Sequence, residues 1–197
     1  MSFRIEDKLH IENKNLIDFK EFLLQKKAKK IHQPRIIESL YFDNTNFQIY
    51  NDSVEGLVPR KKIRVRNYPE TEDKKFYLEI KNSSLEGRFK TREIIEEKKF
   101  KKFINNGIFD QQYGTCFPIL HVKYLREYLI LGDVRISIDK NITYRNFKTN
   151  NQINDDRVIA ELKTSINKDI DNLIEEFPIQ RIRFSKYCFA IERLNYQ

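Results

Sequence analysis

Apolar and polar residues alternate along much of the chain, and a period of two marks strands with one face buried. Strands are predicted over residues 2–11, 36–43, 60–68, 75–82, 87–96, 118–130, 133–140 and 157–164. Other stretches change to a helical period. Residues 13–30 begin with an asparagine that suits a cap, and Leu16, Phe19, Phe22 and Leu23 fall on one face. Residues 96–106 end at Gly107, a helix stop. Residues 168–177 gather Ile170, Leu173, Ile174 and Phe177, then stop before Pro178. Residues 183–194 read as either element, with helix the preferred assignment. Many evenly spaced strands and few helices predict an α+β chain on an antiparallel, closed or nearly closed sheet. Only five glycines and five prolines are present, with no linker and no repeat, so residues 1–197 are expected to form one domain.

Alternation also sorts the charges. One face of the first strand carries Arg4, Glu6 and Lys8, and one face of KKIRVRNY carries Lys62, Arg64 and Arg66. The remaining faces are Glu79 with Lys81, then Arg88, Lys90 and Arg92, then Arg135, Ser137 and Asp139, then Arg157, Glu161 and Lys163. Together these six faces hold twelve basic and four acidic residues, which equals the whole net charge of +8. A charged strand face is ordinarily just solvated. A repeatedly basic face is different, because like charges opposite one another destabilise a sheet and call for an anion. Closed inward, such faces would line a basic cavity suited to a chain of phosphates, with arginine forks gripping oxygens and lysines acting as point charges. Glu6, Glu79, Asp139 and Glu161 have two readings there: salt bridges to neighbouring cations, or hard oxygen ligands for a divalent metal.

Composition narrows the partners. Charged residues make up 34% of the chain, and the basic excess favours polyanions. Aromatic content of 13% is too high for a disordered basic tail. Cys116 and Cys188 form no CxxC pair, and three histidines are too few for a zinc site, so a reducing, cytoplasmic setting is expected. The start of the chain has charge where a secretory signal needs an apolar core. No apolar run approaches the roughly 20 residues that span a bilayer. His10, His32 and His121 have no evident catalytic partners, and Cys188 reads as packing.

The ordered set RIEDK, SLYFDN, KKIRVRNY, LEIK, FKTRE, KYLREY, RISID, IAELK and FSKYC, running from Arg4 to Cys188, resembles the VTC domain. That family is the polyphosphate polymerase branch of the CYTH-like triphosphate tunnel metalloenzymes. The resemblance implies an eight-stranded antiparallel closed β-barrel, the triphosphate tunnel, with flanking α-helices. It implies a transferase that moves the terminal phosphate of ATP onto a polyphosphate chain, with Mn²⁺ or Mg²⁺. It implies that Lys8, Arg64, Arg66, Lys81 and Arg126 act on the reacting phosphates, and that Arg4, Lys90, Arg135, Ser185 and Lys186 hold substrate. Glu161 is the implied metal carboxylate, with Glu6 as a second acid. Asn82 and Ser83 stand where many relatives have a further lysine after LEIK. The short chain resembles a stand-alone bacterial member, so product export would need a separate membrane protein.

Three other readings stay open. A triphosphate hydrolase of the same superfamily would want richer carboxylate content, and relatives of that kind favour glutamate where Arg4 stands. An RNA- or polyanion-binding module could use Tyr68, Tyr77 and Phe89 as stacking platforms, but there is no RNP-like signature and no specific nucleic acid is expected. A degenerate member would bind polyphosphate without making it.

Overall fold

Alternation becomes strand wherever one face of the chain finds a core. The computed structural model describes residues 4–71, 75–165, 171–177 and 179–194. Among them are eleven strands. They are β1 (Arg4–Ile11), β2 (Lys29–Asp43), β3 (Arg60–Asn67), β4 (Phe76–Ser84), β5 (Gly87–Ile95), β6 (Ile108–Asp110), β7 (Gly114–Leu131), β8 (Val134–Asn146), β9 (Gln152–Asp155), β10 (Val158–Ser165) and β11 (Gln180–Arg181). The α-helices are α1 (Leu16–Gln25), α2 (Gln48–Glu55), α3 (Glu97–Asn106), α4 (Asp171–Glu176) and α5 (Lys186–Arg193). The hydrogen-bonded strand order is β11, β1, β10, β8, β7, β2, β3, β4, β5, with β6 beside β7 and β9 beside β8.

The chain forms two compact units. Unit 1 comprises Met1–Ile36, Tyr124–Ile142 and Asp155–Phe184, and unit 2 comprises Ile37–Lys123, Thr143–Asn154 and Ser185–Gln197. In unit 1, Leu9 and Ile11 of β1, Val158, Ala160 and Leu162 of β10, and Ile136 and Ile138 of β8 turn one way. Helix α1 covers them with Phe19 and Leu23, and Phe177 packs on Phe19 with ring centroids 5.4 Å apart. Each such fully buried side chain contributes about 1.5–3 kcal/mol. The alternate positions, led by Lys8, Glu161 and Ser137, are thereby forced to the other face.

Unit 2 repeats the device. Phe42, Ile63 and Ile80 form one cross-strand apolar row, and Leu40, Val65 and Leu78 form the next. Helices α2 and α5 add buried Ile49, Tyr187, Ala190 and Ile191. Helix α3 stops at Gly107, whose φ of +76° suits glycine. A Cβ there would lie 2.7 Å from the Cys116 carbonyl oxygen, so a side chain would push the helix off the β6–β7 ribbon.

Three expectations change. Eight strands closed into a barrel were expected, whereas the described residues give eleven strands in an order with β11 and β5 as its ends. Three of the extra strands, β6, β9 and β11, have three, four and two residues, too few for alternation to register. The helix expected over 13–30 ends at Gln25, and β2 begins at Lys29, because KKIHQP is a polar, exposed strand without a readable period. Helix α2 went unpredicted, since QIYNDSVE carries no regular apolar stripe. The predicted helices at 96–106 and 183–194 are present as α3 and α5. Part of the helix expected over 168–177, residues 168–170, lies outside the described residues, and α4 starts at Asp171.

Candidate functional site

The antiparallel register of unit 2 assembles the charges into rows. Across β3, β4 and β5 run Arg60, Ser83 and Arg88, then Lys62, Lys81 and Lys90, then Arg64, Glu79 and Arg92, then Arg66, Tyr77 and Ile94. Directly opposed residues on one face lie about 5 Å apart at Cβ. This face therefore carries eight basic residues and one carboxylate at neighbouring positions. The second row opposes three ammonium groups with no acid among its members.

Glu79 is the counter-ion that holds the arginines in place. It is 2% exposed. Its Oε2 accepts from Arg64 Nε at 2.8 Å, and its Oε1 lies 2.5 Å from Lys90 Nζ. Arg92 and Arg66 stand 3.6 and 3.7 Å away. Burial alone would raise its pKa, but Arg64, Arg66 and Lys90 outweigh that and bring it to about 2. Burial, with Lys81 and Arg60 adding to it, pushes the Lys62 ammonium below its ordinary value. Lys90 is likewise lowered, chiefly by burial and against the pull of Glu79.

Helix α5 points its first turn at this face. Ser185 caps it by accepting from the Cys188 amide, and Lys62 Nζ donates to the same hydroxyl at 2.8 Å. Tyr187 stacks on Tyr41 at 5.3 Å, and the Tyr41 hydroxyl accepts from Arg64 Nη1 at 2.8 Å. The Tyr187 hydroxyl bonds buried Asp43, which also accepts from the Ile49 and Tyr50 amides at the start of α2. Thus SLYFDN and FSKYC, far apart in sequence, together brace Arg64 and Lys62.

Unit 1 has a face of a different kind. Its rows are Glu6, Lys163 and Arg135, then Lys8, Glu161 and Ser137, then His10, Ile159 and Asp139. Signs alternate. Lys163 Nζ lies 2.5 Å from Glu161 Oε1, and Arg126 of β7 grips Asp139 with bonds of 2.5 and 2.7 Å. Burial would raise the Glu161 pKa, yet Lys163, Arg126 and Lys8 hold it far below the usual carboxylate range. Burial would likewise disfavour the charged Arg126 guanidinium, but Asp139 keeps it protonated. Lys8 Nζ also donates to the Phe184 carbonyl at 2.6 Å.

The sequence pattern of the VTC domain matches residues 3–115 and 109–195. The chain belongs to the VTC domain family. The fold is shared with a Bacillus halodurans protein provisionally assigned as an adenylate cyclase, at 13% identity, TM-score 0.64 and 98% coverage of both chains. A Pyrococcus horikoshii protein matches at 13% identity and TM-score 0.62, over 97% of this chain and 99% of the other. A Hippeastrum protein, provisionally assigned as an adenylyl cyclase and described as having a dominant triphosphatase activity, matches at 14% identity and TM-score 0.59, over 99% and 97%. At such identities the likeness speaks for the fold. No curated protein matches the chain in sequence.

Within this VTC domain the predicted site residues divide between the units. Arg64, Arg66, Lys81, Lys90, Ser185 and Lys186 lie in unit 2, and Arg4, Glu6, Lys8, Arg126, Arg135 and Glu161 in unit 1. The side chain of Arg4 lies outside the described residues. Arg135 is exposed, opposite Lys163. Arg157, counted with the basic faces, pairs with Asp155 at 2.7 Å. Asn82 stands opposite Lys61, off the cationic rows, while Ser83 occupies one of them. Alternation put Lys62, Arg92 and Glu79 on the charged faces, but the resemblance gave them no role and Tyr41 was missed; the register of β3, β4 and β5 groups the first three, and pairing of β2 with β3 sets Tyr41 on Arg64. His121 stays neutral, its pKa brought to about 4 by burial and Arg145, and His32 packs edge-on to Tyr128. A small cleft lined by His10, Ile11, Asn15 and Phe177 in unit 1 carries none of the predicted site residues.

Proposed function

We propose that this VTC domain is a divalent-metal-dependent polyphosphate polymerase, transferring the terminal phosphate of ATP onto a polyphosphate chain. The observation that carries the reading is the β3–β5 face, with eight cations to one carboxylate and a row of three lysines. An oligophosphate spreads several charges along a line and so matches consecutive rows, where a single phosphate would satisfy one. Transfer forms a bond from a terminal polyphosphate oxygen to the γ-phosphorus of ATP, while the bond to the β–γ bridging oxygen breaks and ADP departs. The attacking oxygen is already anionic, so no strong general base is needed, and catalysis is positioning plus charge stabilisation. That fits a reading in which none of the proposed site residues is a histidine.

The acids of unit 1 suit the metal requirement. Among the described residues no group of three or more histidine, cysteine, aspartate or glutamate side chains is arranged to hold an ion. Glu161 is kept ionised, and Glu6 sits diagonal to it on the same face. These two hard carboxylates would hold Mn²⁺ or Mg²⁺, with phosphate oxygens supplying most of the coordination. An ion so bound supplies charge neutralisation on the transferring group. The tunnel that the family implies, a cytoplasmic location and a separate membrane protein for export belong to the same proposal. No described helix is long and apolar enough to cross a membrane.

Product analysis tests the reading. Purified protein with ATP and Mn²⁺ should yield a ladder of long polyphosphate on a gel, together with ADP. A triphosphate hydrolase is the second reading, favoured by three acids, Glu6, Glu161 and Asp139, on one face of unit 1. It would release orthophosphate and no polymer.

A further inference from the structure

The cationic face of unit 2 changes character at one end, and this feature rests on, and deepens, the phosphate-site reading. Three successive face positions on β5 are basic, namely Arg88, Lys90 and Arg92, but the fourth is Ile94, which is 63% exposed. An aliphatic side chain left that open on a charged face serves neither the core nor a phosphate. Ile94 lies in register with Tyr77, which shares the face. The Arg92 guanidinium carbon lies over the Tyr77 ring, 3.9 Å from its centroid. Tyr68 closes the group, edge-on to Tyr77 at 5.8 Å, with its hydroxyl accepting from Arg92 Nη2 at 3.3 Å. Tyr77 and Tyr68 thus hold Arg92 in place, and its side chain remains 42% exposed.

We propose that Tyr68, Tyr77, Arg92 and Ile94 form a stacking subsite for the nucleobase of the donor nucleotide. A guanidinium plane braced by an aromatic ring, flanked by an aliphatic wall, is a platform for any flat heterocycle. The subsite gives the face a direction. The base rests at the Tyr77 and Ile94 row, and the triphosphate runs along the strands through the Arg64 and Arg92 row. Its terminal phosphate reaches the Lys62, Lys81 and Lys90 row, two rows and about 14 Å away. There the hydroxyl of Ser185 at the start of α5 meets Lys62. Stacking reads no base edge, so the platform accepts a purine without choosing which one.

Calorimetric titration of the full chain in EDTA, where metal-dependent transfer does not run, separates the base from the phosphates. Ile94→Ser and Tyr77→Leu should each weaken ATP about tenfold, while inorganic triphosphate binding changes less than about twofold. Equal losses for ATP and triphosphate would mean that the variants disturb the strand itself, and would overturn the subsite. So would an ATP affinity that neither variant moves while the wild type binds triphosphate well; the phosphate reading would then stand alone. A wild type that binds neither ligand removes both. An oligoribonucleotide lacking a triphosphate that binds more tightly than ATP, and is lost with Ile94→Ser, would make the platform an RNA surface and overturn the assignment.

Discussion

Two strand faces of this molecule look alike in sequence and differ in register. On β3, β4 and β5 the rows pair cation with cation and leave Glu79 as the one acid. On β1, β10 and β8 the rows pair Glu6 with Lys163 and Lys8 with Glu161, so the charges cancel locally. Counting charges over both faces gives a uniformly basic lining; placing them in register gives a cation-rich face in one unit and a balanced cluster around an ionised carboxylate in the other. The net charge of the chain is thus less informative than where opposite charges fail to meet.

The comparison can be broken most sharply at Glu161. On the proposed reading, in which Glu161 holds the metal, replacing it with alanine should cut turnover by about a hundredfold or more, while triphosphate affinity largely survives. A rate assay beside a binding titration checks this, and retained full activity would remove Glu161 from the chemistry. Glu79 should behave in the opposite way. Glu79→Gln leaves Arg64 and the buried Arg66 without their counter-ion and should destabilise unit 2 by about 3–5 kcal/mol in denaturant unfolding. Added triphosphate should restore part of that loss. The rescue should be specific to anions, so glycerol at equal osmolality should not reproduce it.

Acidity probes the same carboxylate. The pKa of Glu79 falls from 4.5 to about 2 on folding. Its contribution is therefore present above about pH 4.5 and lost as the pH drops towards 2. Unfolding midpoints followed over that window should decline in the wild type and flatten in Glu79→Gln. At the alkaline end the lysines decide. Lys62 and Lys90 lose their protons below the ordinary lysine value of 10.5, so triphosphate affinity should weaken as pH rises towards that value. The smallest effect is expected from Arg135→Ala, an exposed cation of the balanced face, at less than about threefold in triphosphate affinity. A loss matching that of Lys81→Ala would erase the distinction between the faces.

Much of this was legible from alternation. Ile63 and Val65 had to point away from Lys62, Arg64 and Arg66, and the family motifs fell on those same strands. Register was not legible, because it depends on which strands meet. By alternation alone Glu79 and Glu161 were equivalent acids on basic faces, and only the resemblance set Glu161 apart, whereas in the fold one is saturated by arginines and a lysine and the other is held among Lys163, Arg126 and Lys8. Tyr41 and Tyr187 were hidden for the same reason: an aromatic next to an apolar run reads as core until its hydroxyl is seen on Arg64 or Asp43. Helix α2 escaped because its order comes from Asp43 and the core beneath it, more than from its own composition.

The most direct test of the cationic face is a calorimetric titration of inorganic triphosphate into the wild type and into the triple variant Lys62→Ala, Lys81→Ala, Lys90→Ala. Each lysine lost should remove a charge-assisted bond, so the variant should bind at least about a hundredfold more weakly, while the wild type binds at micromolar concentrations or below. Equal affinity in the two proteins, or no binding to the wild type, would contradict the account.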